Sequence, residues 1–544
     1  MTAKRWLIHG ALVPAMLAGA CHPGGEAPEC IESPDCPAGE ACVAGLCAPD
    51  SDAGASGGID VTTGEPMTDL PVPQGAESCE EVELFATHAG CRFWAVDLPN
   101  AWEPAEPFGL DIAADQQFAV VVTNVTHSEA AEVVVYLGRD TVPVASASVE
   151  PGEVHTFELP AANFDPTQNG AAKAYRVESD LPIAAYQFQP LGNNVPVYSN
   201  DASALFPEHV LGEDYIAVTG DAMRLEMYPD GWDPVVYNTG AFVTIVATAA
   251  DTHVKLYPTA GLLAPPVKSL TLHRGDAFTV FSDLDNLTGS PSGDLSGTRV
   301  VADRPIAVFG GSVTANVPFN NGTCCADHLE HQMMPLSAWG NGYVVAPPPS
   351  VLGAAQAAPA LYRLTGAFDH TELEWPAGAP EGAPSKVHAS QTVVFQTDRP
   401  FVVRSVDPEQ SFALTQFLLS AQAADPTDSG LGDPAMTVIP AAAQMQRNYT
   451  FLVPEGYQDN YVTIIAPGTA AVTLDGDDVD LRVAAGALGG VGYVYGNVLL
   501  APGTHEVSAS EPVGITVVGY DQWVSYAYTG GSGILAISDL PPTP

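Results

Sequence analysis

The chain has 544 residues and a formal net charge of −46, from 64 acidic residues against 18 basic ones. A surface this acidic repels the phosphates of nucleic acids and anionic lipid headgroups, which argues against binding to either by charge. Hydrophobic residues make up 46% of the chain, and 51 glycines and 48 prolines interrupt them at short intervals. That pattern predicts an all-β protein with many turns.

Residues 1–20 predict a secretory signal of the lipoprotein type. A positive start at Lys4 and Arg5 precedes an apolar run too short to span a membrane, and small residues lead into Cys21. The segment resembles a bacterial lipoprotein signal, although Ala18 stands where such signals usually carry Leu; cleavage at an ordinary small-residue site is the alternative. We expect lipidation of Cys21, an outer-membrane, cell-surface or extracellular location, and no membrane contact other than this anchor.

Eight further cysteines form an even set, which in an oxidising compartment predicts disulfides. The candidates are Cys30, Cys36, Cys42, Cys47, Cys79, Cys91, Cys324 and Cys325, and of these Cys79 and Cys91 are expected to bond to each other. The first four lie in a cysteine-rich module at 21–47 that is too small for a hydrophobic core and resembles modules found behind lipoprotein signals. A zinc site is the alternative there, but the module contains no C-x2-C pair. Residues 48–78 are rich in Gly, Ser, Thr, Pro and Asp, which predicts a flexible linker.

From residue 79 onward the same order of features recurs: short strands, a proline-marked turn, a polar loop, then a second proline and a tyrosine. The marker prolines of the turns are Pro182, Pro305, Pro400 and Pro512. They lie roughly 100 residues apart, the size of an immunoglobulin-like sandwich. We therefore predict four tandem β-sandwich-like repeats, with a β-propeller as the alternative. The predicted bounds are 79–223, 224–349, 350–457 and 458–544.

Two of these repeats carry motifs similar to a known family. Asp180-Leu181-Pro182 is followed by Leu211-Gly212-Glu213-Asp214-Tyr215, and Asp303-Arg304-Pro305 by Trp339-Gly340-Asn341-Gly342-Tyr343. Their order resembles the IgGFc-binding protein N-terminal domain family, over roughly residues 90 to 530. The resemblance implies an extracellular binding or adhesion module and gives no catalytic residues to carry over.

The segment from Cys324 to His331 holds the densest set of potential metal ligands. Asp327, His328, Glu330 and His331 are competent ligands for calcium or another divalent cation, but their spacing fits no known zinc motif. The competing interpretation is a structural loop, in which Cys324 and Cys325 bond to each other or elsewhere. An Asp recurs in the polar loops of the first three repeats, which predicts that it organises the loop by capping backbone N–H groups. These Asp residues are Asp201, Asp327 and Asp433.

The sequence therefore predicts a non-enzymatic cell-surface protein for binding or adhesion, without a cofactor. The expected partner is an extracellular protein or a glycan, and no nucleic acid. A structural component of the envelope or matrix is one alternative. A metal-dependent hydrolase that uses the 324–331 loop is the other.

Overall fold

The structure is a computed structural model that describes part of the chain. The described residues are 40–43, 46–49, 76–101, 112–162, 171–192, 199–227, 235–263, 267–284, 292–319, 323–425, 427 and 429–542. They belong to two compact units, Met1–Asp60 and Val61–Pro544. The predictions for Cys21, Cys30, Cys36 and most of the linker at 48–78 lie outside these residues.

In the smaller unit the structure describes one hairpin, of β1 (Glu40–Val43) and β2 (Leu46–Pro49). Its register places Cys42 opposite Cys47. The side chains of these two cysteines lie outside the described part of the chain, so the disulfides of the module stay a prediction without an assigned pairing.

The larger unit begins with a short helix and a β-sandwich. The elements are α1 (Cys79–Val82), β3 (Gly90–Ala95), a 3₁₀ turn (Ala113–Asp115), β4 (Phe118–Asn124), β5 (Ala131–Leu137), β6 (Ala145–Val149), β7 (Val154–Leu159), β8 (Ala171–Lys173), β9 (Tyr175–Gln189), β10 (Asp201–Ala204) and a 3₁₀ turn (Glu208–Val210). The outer sheet has the order β6-β5-β9-β3 and the inner sheet β7-β4-β9-β10. The 15-residue β9 belongs to both sheets, so the two strands predicted around Asp180-Leu181 are one strand.

The second sandwich has the same plan. Its strands are β11 (Asp214–Ile216), β12 (Met223–Met227), β13 (Val235–Thr239), β14 (Ala241–Ala247), β15 (Thr252–Tyr257), β16 (Ser269–Leu272), β17 (Asp276–Phe281), β18 (Arg299–Ala302), β19 (Ile306–Ala315) and β20 (Asp327–Gln332), followed by a 3₁₀ turn (Leu336–Ala338). The outer sheet is β11-β18-β15-β16 and the inner sheet is β20-β19-β14-β17-β8, while β12 and β13 form a hairpin. One edge of this inner sheet is therefore formed by β8, a strand that precedes the second sandwich in the sequence.

The third sandwich follows the plan with one extra hairpin. Its elements are β21 (Gly342–Val345), β22 (Pro349–Ser350), β23 (Gly353–Ala357), β24 (Ala360–Gly366), β25 (Thr371–Glu374), β26 (Lys386–Val387), β27 (Thr392–Thr397), β28 (Phe401–Ser405), β29 (Phe412–Phe417), α2 (Ala421–Ala424), β30 (Met436–Ile439) and a 3₁₀ turn (Ala442–Gln444). The outer sheet is β21-β28-β25-β26, the inner sheet is β27-β24-β29-β30, and β22 pairs with β23.

The fourth sandwich again contains a long strand that belongs to both sheets. Its strands are β31 (Gln446–Val453), β32 (Asp459–Pro467), β33 (Val472–Leu474), β34 (Asp477–Asp478), β35 (Arg482–Leu488), β36 (Val491–Leu500), β37 (Gly503–Asp521) and β38 (Val524–Thr529). The first half of β37 pairs with β31 and β33, and its second half with β32 and β38. Beyond β37, β36 and β35 extend the inner sheet from β32. The prediction of an all-β chain of sandwich-like units is confirmed.

The apolar pattern of each strand follows from its layer. Inner strands such as β4 and β14 are buried at every position, because one face packs on the outer sheet and the other on a neighbouring sandwich. Outer strands such as β15 alternate between buried and exposed residues, because one face meets water. The runs of Val, Ile and Phe in the sequence therefore mark the inner sheets.

One of the predicted turn correspondences is wrong. Asp303-Arg304-Pro305 joins β18 to β19, whereas Asp398-Arg399-Pro400 joins β27 to β28, a connection one strand earlier in the plan. In the third sandwich residues 406–411 occupy the equivalent link. The Asp-Arg-Pro sequence suits any tight turn that begins a strand, because proline there lacks only an N–H that the sheet does not need.

The predicted limits of the repeats stay predictions, but strand pairing bears on them. The strands β11, β21 and β31 precede the predicted limits, yet each pairs with a strand of the following sandwich. The second, third and fourth repeats thus each begin with the tyrosine-bearing strand that follows a 3₁₀ turn.

The sandwiches share their hydrophobic cores. Tyr186 in the first and Tyr528 in the fourth lie with their ring centroids 4.9 Å apart, inside one cluster of buried residues. Burial of a side chain of this size stabilises the fold by about 1.5–3 kcal/mol. The C-terminal residues 530–542 add further contacts: the backbone N–H of Ile534 donates to Ala86 O and that of Ile537 to Ser337 O. In the described part of the chain, no helix is long and apolar enough to cross a membrane.

Candidate functional site

The last strands of the four inner sheets, β10, β20, β30 and β38, contact one another in a closed circuit. Each is the edge strand of its sheet, so its outward N–H and C=O groups need partners other than a neighbouring strand of the same sheet. Four buried carboxyl groups lie in this region, and we call them the axial cluster: Asp201, Asp327, Glu330 and Asp433. All four residues come from the set that the sequence singled out.

Asp201 bonds to the backbone of two other sandwiches. Its Oδ2 atom accepts the N–H of Glu330 in β20 and the N–H of Met436 in β30, both at 3.1 Å. Its Oδ1 atom accepts the N–H of Ala202 at 2.8 Å. The neighbouring Ser203 Oγ accepts the N–H of Gln332 at 2.9 Å. Side chains of β10 thus satisfy the edge of β20 where no strand does.

The side-chain Oδ1 atoms of Asp327 and Asp433 accept hydrogen bonds from residues of their own sandwiches. Asp327 Oδ1 accepts the N–H of His328 at 2.8 Å, while Oδ2 is buried without a hydrogen-bond partner. Asp433 Oδ1 accepts the N–H of Ala421, the first residue of α2, at 3.4 Å. The N–H of Asp433 donates to Ser525 Oγ in β38 at 2.8 Å. The third and fourth sandwiches are therefore joined at Asp433.

The electrostatics of the cluster favour protonated carboxyl groups. Burial raises the pKa of Asp327 well above its usual value, and the negative charges of Asp433 and Asp201 raise it further. Burial also raises the pKa of Asp201, with Glu330 as the next cause, and the pKa of Asp433. For Glu330, burial raises the pKa although Gln187 donates a hydrogen bond to its Oε1 atom. Burial thus favours the protonated, uncharged form of each of these carboxyl groups.

The segment predicted as a loop at 324–331 is a strand from Asp327 onward. All six residues of β20 are buried, and both of its faces carry polar side chains. This strand could not be predicted from the sequence, because it lacks the alternation of apolar and polar residues. Its neighbours are backbone edges and polar groups of other sandwiches, so both of its faces are polar. Only the part through Ala326 is a loop.

Strand geometry separates the four predicted metal ligands. Asp327 and His331 extend to one face of β20, and His328 and Glu330 to the other. His328 Nε2 lies 3.3 Å from Glu330 Oε2, and the ring stacks on Phe242. Burial lowers the pKa of His328 to about 3 and that of His331 to about 4, so both rings are neutral at pH 7. Among the described residues, no three His, Cys, Asp or Glu side chains are grouped to hold a metal ion.

Cys324 and Cys325 are bonded to each other in a half-buried loop between the second and third sandwiches. The N–H of Gln422 donates to Cys324 O at 2.9 Å, and Cys324 N–H donates to Gln422 Oε1 at 3.1 Å. Ser420 Oγ donates to Cys325 O at 2.7 Å. The loop thus joins two sandwiches through its backbone. The predicted bond between Cys79 and Cys91 is also present and links α1 to β3.

An arginine that the sequence pattern did not single out also joins these sandwiches. Arg363 in β24 is 1% exposed, and its guanidinium donates to Asp294 Oδ1 at 2.8 Å and to Asp221 Oδ1 at 2.5 Å. It lies 4.3 Å from the ring centroid of Phe319. The available signal was an arginine inside an otherwise apolar strand, which predicts a buried ion pair.

A groove of about 440 Å³ lies between the first and fourth sandwiches, away from the axial cluster. Its lining is partly polar and includes His88, His127, Tyr449 and Glu506. Burial lowers the pKa of His88 to about 4, and its ring stacks on Tyr449 with centroids 6.3 Å apart. The groove has the size of a small-molecule site.

The geometry of the axial cluster suits a structural role. Its carboxyl groups are 0–2% exposed, so in this conformation a substrate has no access to them. Each of the four residues accepts a hydrogen bond from a backbone N–H group or a side-chain amide of the protein itself. The cluster therefore stabilises the contacts among the sandwiches, and a partner would bind elsewhere on the surface.

Comparison with known proteins places this architecture in context. A family model described as IgGFc binding protein matches residues 201–519, from the first residue of β10 into β37. IgGFc-binding protein from Homo sapiens is 27% identical over 257 residues, which is 46% of this chain and 4% of that protein. The chain thus spans a small fraction of that relative.

Two solved structures show only remote likeness. An anti-sigma factor domain-containing protein from Clostridium clariflavum has a TM-score of 0.10 and 7% identity, with 74% of this chain and 99% of the other covered. Salmonella alpha-2-macroglobulin reacted with methylamine has a TM-score of 0.13 and 8% identity, with 86% and 40% covered. Scores this low carry no argument about the fold.

Proposed function

Because the chain belongs to the IgGFc binding protein family, we propose that it is a non-enzymatic, extracellular binding protein that recognises another protein or a glycan. The family match, which covers more than half of the chain and includes the axial cluster, is the observation that carries this proposal. The human relative is named for binding the Fc part of IgG, so Fc is the first partner to test.

The structure supports a surface binding role in two ways. The densest polar cluster is buried and bonded to the protein's own backbone, which leaves recognition to the outer faces and the groove beside Tyr449. The bond between Cys79 and Cys91 is typical of an oxidising compartment, which supports a location outside the cytoplasm. Lipidation at Cys21 would attach such a protein to the cell surface, with residues 48–78 as a spacer.

Binding is tested with the full chain carrying Cys21→Ser, which removes the lipid site and keeps the protein in solution. Human Fc, a panel of extracellular proteins and a glycan array are the probes, with biolayer interferometry to confirm each hit. We expect saturable binding to a protein or a glycan. Absence of binding to every probe, or turnover of peptide and ester substrates, would overturn the proposal.

The anchor is tested separately in cells. Radiolabelled palmitate should enter the wild-type protein and not the Cys21→Ser variant. Equal labelling of both, or no labelling of either, would show that Cys21 is not the lipidation site.

A further inference from the structure

In all four inner sheets, the strand on the side away from β10, β20, β30 or β38 occupies the same place. These strands are β7, β17, β27 and β36, and each pairs on one side with the corresponding inner strand β4, β14, β24 or β32. In two of the four sheets another strand covers the second side: β8 on β17 and β35 on β36. The protein thus adds strands to this edge within its own chain.

The pairing of β8 with β17 shows what the edge accepts. Lys173 lies opposite Asp276, and Ala172 and Ala171 lie opposite Ala277 and Phe278. The N–H of Ala174 donates to Gly275 O at 3.0 Å. A short extended segment of small residues with one lysine therefore binds this edge through its backbone.

The same edge is open in the third sandwich. Ser390 and Gly275 correspond, since both have positive φ and each donates its N–H to the end of the neighbouring inner strand, at Gly366 O and Ala247 O. Thr392 and Val393 therefore stand where Ala277 and Phe278 meet β8. Among the described strands, β27 pairs only with β24.

The register shows which backbone groups are exposed at this edge. Gly366 N–H donates to Gln391 O, and pairing continues from there along β24 and β27. Hydrogen-bonded pairs alternate along an antiparallel ladder. The N–H and C=O groups of Thr392, Val394 and Gln396 consequently point away from β24.

The residues of β27 do not protect this edge. Natural edge strands commonly carry a charge, a proline or a bulge that discourages pairing with another chain. β27 has the sequence Thr-Val-Val-Phe-Gln-Thr, and Val394 is 43% exposed. The equivalent β7 carries Glu158 and His155. Of the two edges, β27 is the one suited to receive a strand.

We propose that β27 binds an extended segment of a partner protein by antiparallel strand addition, and that this segment carries a lysine or arginine. The basic residue is inferred from the net charge of −46, because Gln391 stands where β17 carries Asp276 and the attraction must come from the acidic surface as a whole. That charge disfavours a second copy of this chain as the occupant, because two such surfaces repel each other. The inference rests on the proposed function and names the kind of partner and its binding edge.

The probe is a capped, fluorescein-labelled peptide with the sequence of residues 171–176, Ala-Ala-Lys-Ala-Tyr-Arg. Its control is the same peptide with N-methyl groups on alternate residues, which cannot donate along one edge. The protein is the full chain with Cys21→Ser. Val394→Pro removes an outward N–H at a position where a proline is tolerated on an edge, and Val394→Thr keeps that N–H and the β-branched shape.

Fluorescence anisotropy should show binding of the peptide and loss of binding with the N-methylated control. Val394→Pro should weaken binding at least about tenfold, and Val394→Thr less than about twofold. Val394→Lys, which keeps the backbone donor but adds a charge that repels the basic peptide, should also weaken binding. Thermal unfolding of each variant checks that the fold is kept.

Hydrogen exchange locates the site. The amides of Val394 and Gln396 should exchange rapidly in the free chain and slow on addition of peptide. Equal peptide binding by wild type and Val394→Pro would overturn the inference. So would protection of these amides that rises with protein concentration in the absence of peptide, because the occupant would then be a second copy.

The two proposals fail in distinguishable ways. If an extracellular protein binds wild type and Val394→Pro equally, the proposed function stands and the assignment to β27 is wrong. If the peptide adds to β27 but every protein and glycan probe fails to bind, the edge is accessible and the proposed function is wrong.

Discussion

Asp201 in the first sandwich accepts the backbone N–H of Met436 in the third at 3.1 Å. The same oxygen accepts the N–H of Glu330 in the second sandwich. Both donors lie on edge strands, where their own sheets offer no acceptor. One carboxyl group therefore stabilises the contacts among three sandwiches.

Replacement of Asp201 by alanine should destabilise the whole body. It leaves the buried N–H groups of Glu330 and Met436 without an acceptor, and we expect a loss of about 2–4 kcal/mol in the free energy of unfolding. Urea denaturation measures it. Asp398→Ala, at an exposed carboxylate, is the matched control and should change little. Equal effects of both substitutions would contradict the role of Asp201.

The stability difference between wild type and Asp327→Asn should depend on pH. Burial raises the pKa of Asp327, so the folded protein keeps a proton that the unfolded chain releases above about pH 4. The stabilisation that this proton gives the folded wild-type protein is fully present below that pH and is lost as pH rises through the folded pKa. Asparagine resembles the protonated carboxyl group, so the stability of the variant relative to wild type should increase as pH rises above about 4 toward the folded pKa, by at most about 1.4 kcal/mol per pH unit. A difference independent of pH would contradict protonation of Asp327.

The buried histidines have the opposite effect on stability at acid pH, because they destabilise the folded protein as pH falls. Burial lowers the pKa of His331 to about 4, so the unfolded chain takes up a proton below about pH 6.5 while the folded protein does not. Stability should therefore decrease as pH falls from 6.5 to 4. If the urea midpoint is plotted against pH, His331→Gln should make its decrease below pH 6.5 less steep. His253→Gln, at an exposed histidine, is the control and should leave that profile unchanged.

The two disulfides should differ in their effect on stability. Cys79 and Cys91 are 12 positions apart, so their bond restricts the unfolded chain, and Cys79→Ser with Cys91→Ser should cost about 2–3 kcal/mol. Cys324 and Cys325 are adjacent and close almost no loop, so the corresponding double serine variant should cost less. Differential scanning calorimetry of both variants measures this. A larger loss for the adjacent pair would contradict the chain-entropy argument.

The C-terminal residues should contribute to stability through Arg299. This buried side chain pairs with Asp214 and donates to Pro542 O at 2.6 Å and to Pro541 O at 2.8 Å. A chain ending at Ala536 lacks these acceptors and the bond from Ile537 to Ser337. We expect its free energy of unfolding to be lower by about 2–4 kcal/mol, so that it unfolds at a lower urea concentration. An unchanged midpoint would show that the contacts are not needed.

Divalent cations are tested by elemental analysis of the dialysed full chain. Because alternation along β20 separates Asp327 from His328, we expect Asp327→Ala with His328→Ala to leave the zinc and calcium content unchanged. Loss of a stoichiometric ion in this variant would establish a site there.

The sequence predicted the parts of the fold that depend on local pattern. The strands of Val, Ile and Phe, the turn at Pro305 and the bond between Cys79 and Cys91 follow from residue type and spacing, whereas Pro182 and Pro512 lie inside the continuous strands β9 and β37. The sequence did not predict residues whose surroundings are formed by other sandwiches. β20 lacks apolar alternation because both of its faces meet polar partners, and Arg363 finds Asp221 and Asp294 only after folding. The role of Asp398-Arg399-Pro400 was misassigned because a tight turn has the same sequence at any link.

The closed circuit of β10, β20, β30 and β38 fixes the number of repeats. In a linear array, a unit can be gained or lost at either end, since each contacts only its neighbours. Here the fourth unit also contacts the first, so a deletion would leave two exposed edges and an insertion would change the angle between every pair of neighbours. Duplication within this architecture is therefore constrained to whole rings, and variation between relatives should concentrate in the connections and the outer sheets.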